Sequence, residues 1–242
     1  MEKNTSQLSV PQAVIINGII IGITIIVAGL IVSHALTKEG TPTPPPAAPQ
    51  SAAAIPGAID IRNVSTANEP FIGNPNPKVA IAYWCDYQAS SCKLFETTAF
   101  QDIIKKYVSD KGIAVIFKDF AAFGPDSVTG ALYGRAVWQL YPAQYFTWRE
   151  AMFNAQDRVN QGFGDEASVL KITAAIPGID ATKVQQAVVA NKDAYTKAIE
   201  ADAAEAAGFK INGTPAFITG AKLIMGVTPY ETFSSALDEQ LK

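Results

Sequence analysis

The chain has 242 residues, 48% of them hydrophobic, and a net charge of −3, a balance that leaves no footprint for nucleic acid. Its single histidine, His34, closes an apolar N-terminal segment, so Ser-His-Asp and Cys-His catalysis lack a base in the rest of the chain. Two cysteines with no histidine among the later residues argue against a conventional zinc site, and no cofactor is expected.

After a short tail at 1–12, Ala13–Leu36 runs for 24 residues without Asp, Glu, Lys or Arg. As a helix it would measure about 36 Å, enough to cross a bilayer with some tilt. A cleaved signal peptide ending at Ser33-His34-Ala35 is the rival reading. The apolar run is too long for a normal signal core, which favours an uncleaved single-pass anchor. Gly18 and Gly22 are spaced for helix packing, although glycine is also common in membrane helices. A short tail that stays inside places the bulk of the chain outside the cytoplasm. The following stretch, 37–57, includes "TPTPPPAAPQSAAAIPG", uncharged with six prolines, and reads as an extended spacer. The folded domain is expected over 58–242.

Within that domain Ile59–Val64 is a short strand candidate, followed by turn-rich Gly73–Lys78. "VAIAYW", Val79–Trp84, has the apolar continuity of a buried central strand. Phe100, Ile103, Ile104, Tyr107 and Val108 recur at helical spacing, which predicts a helix over Ser91–Ser109. Ile113–Phe117 is a second buried strand, and strand-helix-strand order implies a parallel pair. From Val128 to Ala207 the pattern is helical, broken at Pro142, Gly162–Gly164 and Pro177-Gly178 and capped by a left-handed Gly208. Two short antiparallel strands meeting at Gly220, then a helix over Thr228–Leu241, complete an α/β sandwich with a helical insertion at about 126–207.

Three segments taken in order, "FIGNPNPKVAIAYWCDYQ", "GFKINGTPAFITG" and "IMGVTPYETFSSALDE", resemble the DsbA-like members of the thioredoxin superfamily, across nearly all of 58–242. The resemblance implies a thioredoxin fold and thiol-disulfide exchange on extracytoplasmic polypeptides, with a place for a membrane redox partner beside the lipid contact of 13–36. It places the family's C-x-x-C on Ala89-Ser90-Ser91-Cys92, so that Ala89 stands where the nucleophile belongs and Cys92 at the resolving position. On this reading the redox centre is altered or lost, because a methyl group forms no mixed disulfide. Thr214-Pro215 matches the family's cis-proline, whose backbone faces the active-site helix and pairs with extended substrate. A trans proline opening an edge strand is the plain alternative.

Cys85, at the end of the "VAIAYW" strand, lies on the same face as Tyr83 by strand alternation. A relocated Cys85–Cys92 bond, as a staple or as a slower redox couple, and two separate buried thiols both remain open. Asp86, Lys118 and Asp119 are placed to tune a nearby thiol, although charged strand ends are more often solvated rims, and Ser90 and Ser91 read as helix N-caps. Trp84, Trp138, Trp148 and the tyrosines between 141 and 145 read as packing. Two function classes follow: a membrane-tethered oxidoreductase using an altered pair, or a non-catalytic binding module, chaperone or adaptor built on the Pro215 surface.

Overall fold

The computed structural model describes residues 58–242. The expected anchor at 13–36 and spacer at 37–57 lie outside the described residues. Among the described residues no helix is long and apolar enough to cross a membrane.

Five strands form one sheet: β1 (Phe71–Gly73), β2 (Ala80–Cys85), β3 (Ala114–Asp119), β4 (Ala216–Thr219) and β5 (Lys222–Met225), in the order β1-β3-β2-β4-β5. Only β2 and β3 run parallel, with Trp84 opposite Lys118 and Cys85 opposite Asp119. The expected parallel pair is therefore present at the centre. The expected strand at Ile59–Val64 is instead a single 3-10 turn, Ile61–Asn63. The Asp60 carboxylate accepts the Arg62 amide and grips the Arg62 guanidinium, a local bond that competes with sheet pairing. The β1 edge strand was not anticipated. It has three residues, follows Pro70 and ends on Gly73 at φ +104°, too short to carry a period.

The predicted 91–109 helix is broken in two. α1 covers Ser90–Glu96 and α2 Ala99–Ile103, continuing as a wider π-helical turn over Ile104–Ser109. Thr97 and Thr98 at the break turn their hydroxyls back onto the Lys93 and Leu94 carbonyls. The insertion comprises α3 (Pro125–Leu140), α4 (Tyr145–Ala155), α5 (Glu166–Ala174), α6 (Ala181–Ala190) and α7 (Lys192–Gly208); α8 (Tyr230–Gln240) closes the fold. Three of the four breaks fall where the prolines and glycines indicated, and the fourth, at Asn191 between α6 and α7, was not expected. Gly208, however, remains helical, and the left-handed residue is Lys210 at φ 61°.

Each face of the sheet buries one set of alternate side chains. Ile81, Tyr83, Cys85, Val115, Phe117 and Phe217 pack with Phe95, Phe100 and Phe233 of the helices. On the other face Ala82, Trp84, Ala216 and Ile218 pack with Ala206, Phe209 and Ile211. Trp84, Trp138 and Trp148 are buried as expected.

Candidate functional site

The site is the turn where β2 hands over to α1. Asp86 shapes it. One carboxylate oxygen accepts the Gln88 amide at 2.8 Å, and the other accepts Ala122 and Phe123 amides at 2.7 and 3.3 Å. Asp86 is only 2% exposed, so it is a buried anchor and not the solvated strand end anticipated. Burial pushes its carboxyl up and the backbone amides oppose that.

This turn brings both cysteines together. Cys85 and Cys92 are disulfide-bonded, with Cα atoms 6.1 Å apart. Of the two arrangements left open by the sequence, the bonded one is found, and two separate thiols are not. A centre lost with the residue at position 89 finds no support in this geometry. Each sulfur has one hydrogen-bond donor. The Tyr83 hydroxyl donates to Cys85 Sγ at 3.0 Å, and the Asp86 backbone N–H donates to Cys92 Sγ at 3.4 Å. Cys85 retains 6% exposure and Cys92 none.

Ala89 is the N-cap of α1 and is buried. Ser90 and Ser91, expected as caps, are instead the first two helical residues. The Ser91 hydroxyl crosses to the Thr214 carbonyl at 2.9 Å. The Thr214–Pro215 bond is cis, and the Pro215 carbonyl accepts the Gly226 amide at 2.8 Å. Cys85, Ala89 and Cys92 thus share one turn, and Ser91 ties that turn to Thr214 and Pro215.

Three further groups around the turn had escaped sequence reasoning. The α4–α5 loop is strapped onto it: Gln156 Nε2 donates to the Tyr87 and Ala89 carbonyls, Gln88 Nε2 donates to Phe163, and Asn160 N–H donates to Gln88. Beneath α1, Arg149 grips the Glu96 carboxylate at 2.7 Å among the rings of Tyr83, Phe117 and Phe153. Across the sheet, Lys118 and Arg135 share Glu69 and Asp202, with Glu205 on the lysine and Asp119 on the arginine. Lys118 and Asp119 therefore belong to a buried ion network and not to a wet rim. No local pattern flagged Gln156 or Arg149, since each meets its partner across more than fifty residues. For Tyr83 a signal existed: its alternation with Cys85.

A strand-turn-helix carrying a disulfide, opposed by a cis-proline loop, defines a thioredoxin-type redox fold. Residues 65–239 match the family described as thioredoxin, and the chain belongs to it, as a DsbA-like member of the thioredoxin superfamily. It is similar to disulfide bond formation protein D of Bacillus subtilis (strain 168), 21% identical over 178 residues, covering 74% of this chain and 79% of that protein. The oxidised structure of BdbD from Bacillus subtilis superposes with a TM-score of 0.67 at 20% identity, covering 78% of this chain and 98% of that one. The thiol-disulfide exchange protein alpha-DsbA2 from Wolbachia pipientis gives a TM-score of 0.62 at 27% identity, covering 71% and 86%.

Proposed function

We propose that the protein is a membrane-anchored, extracytoplasmic thiol-disulfide oxidoreductase that acts on polypeptides through Cys85–Cys92, with the Thr214–Pro215 loop as the substrate-pairing edge. The observation that carries this reading is the bonded pair in the turn before α1, tied by Ser91 to the cis-proline loop. Relatives that include a disulfide bond formation protein and a periplasmic thioredoxin-like protein of Salmonella enterica support the chemistry and the compartment. The uncharged spacer and the apolar run at 13–36 support the tether.

In the exchange a substrate thiolate attacks Sγ of Cys85, the less buried of the two cysteines, and the Sγ–Sγ bond breaks. Cys92 leaves as a thiolate that accepts the Asp86 amide. A second substrate thiolate then attacks the substrate sulfur of the mixed disulfide, and Cys85 leaves as a thiolate. The substrate dithiol is oxidised to a disulfide and the pair is reduced by two electrons. A membrane redox partner then reoxidises it. Between the C-terminal half of α1 and the segment before α8, a groove of about 500 Å³ lined by Leu94, Thr98, Val227 and Tyr230, with Asp102 and Thr228 at its wall, gives an extended polypeptide a largely apolar seat.

The test equilibrates the purified full chain with glutathione buffers and counts thiols by alkylation and intact mass. A potential near −200 mV or above supports a redox centre, and one below about −300 mV marks a structural staple. In the second case the near-complete burial of both cysteines favours the other reading, a non-catalytic peptide-binding module on the Pro215 surface.

A further inference from the structure

We infer that Tyr83 is a redox-tuning residue, its hydroxyl holding the Cys85 sulfur as the thiolate that departs in the second half of the exchange. The inference rests on the redox reading of Cys85–Cys92 given above.

The hydroxyl lies 3.0 Å from Cys85 Sγ, and the Tyr83 side chain is fully buried. Its ring is fixed among Phe95, Phe100, Phe117 and Phe217, with centroids at 5.5, 5.6, 6.1 and 4.6 Å. The oxygen therefore cannot swing to water, and its proton has few acceptors. Glu96 is the nearby competitor. One Glu96 oxygen is taken by Arg149, and the Tyr83 hydroxyl also lies within hydrogen-bonding reach of the Glu96 carboxylate, so Glu96 and Cys85 Sγ share the one phenol proton. Burial, reinforced by Glu96, keeps the phenol protonated well above its ordinary range, so it stands as a donor at any physiological pH.

The chemistry of the two sulfurs then separates. A disulfide sulfur is a weak acceptor, whereas a thiolate is a charged one, and hydrogen bonds to charge are the strong ones. Asp86 N–H serves Cys92 when the first bond breaks. Tyr83 serves Cys85 when the mixed disulfide resolves. Both donors are rigid and in place before charge develops, which is the form of electrostatic stabilisation that needs no reorganisation. Because the bond strengthens on reduction, Tyr83 favours the dithiol form and makes the pair a stronger oxidant of its substrate.

The experiment measures the thiol-disulfide equilibrium constant of the oxidised full chain against glutathione, or against dithiothreitol where glutathione is too weak. Wild type, Tyr83→Phe and a chain with 3-fluorotyrosine installed at position 83 are compared. Phenylalanine keeps the ring and its packing, and packing losses shared by both redox forms cancel in the constant. The expected result is a shift of about ten-fold toward the disulfide in Tyr83→Phe, a fall of roughly 30 mV. The more acidic fluorophenol donates more strongly and shifts the constant the opposite way, which keeps the test decisive if the phenylalanine chain does not fold. Identical constants in all three chains overturn the role of Tyr83. The wild-type value alone judges whether the pair is a redox centre, so the two ideas fail separately.

Discussion

At the scale of single residues, the site is organised by buried polar groups whose partners lie far along the chain. Arg149 is 3% exposed, bonds Glu96 through two nitrogens and lies over the Phe117 ring at 4.3 Å. Removing one partner of such a pair leaves an uncompensated buried charge. Arg149→Met is therefore expected to destabilise the fold by about 3–5 kcal/mol, and Arg149→Met with Glu96→Leu to recover much of it. Urea unfolding of the two variants checks this, and equal losses in both would refute the assignment. Neither residue stood out in the sequence. Charged residues on a helix are usually solvated, and only the packing of α4 against α1 turns this pair inward. The turn between β2 and α1 was legible because a strand-to-helix turn is a local feature with its own residue pattern.

At the scale of elements, the β2–α1 turn and the α4–α5 loop behave as one unit. Gln156 satisfies the Tyr87 and Ala89 carbonyls, and Lys93 in turn donates to the Gln156 carbonyl at 2.6 Å. Gln156→Ala leaves the Tyr87 carbonyl unpaired, while the Ala89 carbonyl keeps the Lys93 amide, and the loss is expected to cost about 1–3 kcal/mol. It should also loosen the cover over the disulfide. The check is the rate at which a phosphine reductant opens Cys85–Cys92, together with hydrogen exchange across residues 156–164. Faster reduction and faster exchange are expected together; unchanged rates would mean the loop does not guard the pair. Most of the insertion was readable because α3 to α6 are separated by proline and glycine breaks, whereas the break at Asn191 before α7 carries neither. The break at Thr97-Thr98 was not readable either, since the apolar spacing continues across it while threonine hydroxyls and packing decide where the helix stops.

At the scale of the whole molecule, one ion network joins the segment before β1 to β3, α3 and α7. Two cations, Lys118 and Arg135, face four carboxylates: Glu69, Asp119, Asp202 and Glu205. Burial outweighs the pull of Arg135 and Lys118 on Glu69 and raises its carboxyl from 4.5 to about 8. The native state then holds a proton that the unfolded chain releases near 4.5, so stability falls as pH rises from about 4.5 to about 8. Glu69→Gln is expected to flatten that slope, read as unfolding free energy across pH 5 to 8.5. A wild-type stability that rises through the window would overturn the assignment.

The family, the parallel strand pair, the helical insertion, the strand-to-helix turn and the proline before β4 were all legible along the chain. These rest on periodicity, chain breakers and short motifs, which are local quantities. Only folding brings Cys85 to Cys92, sets Tyr83 against one sulfur, buries Asp86 and Lys118 and half-buries Asp119. It also decided that Gln156 and Arg149 belong to the site. Those facts depend on which faces of separate elements are pressed together, and a one-dimensional pattern records the period of a face but not its partner.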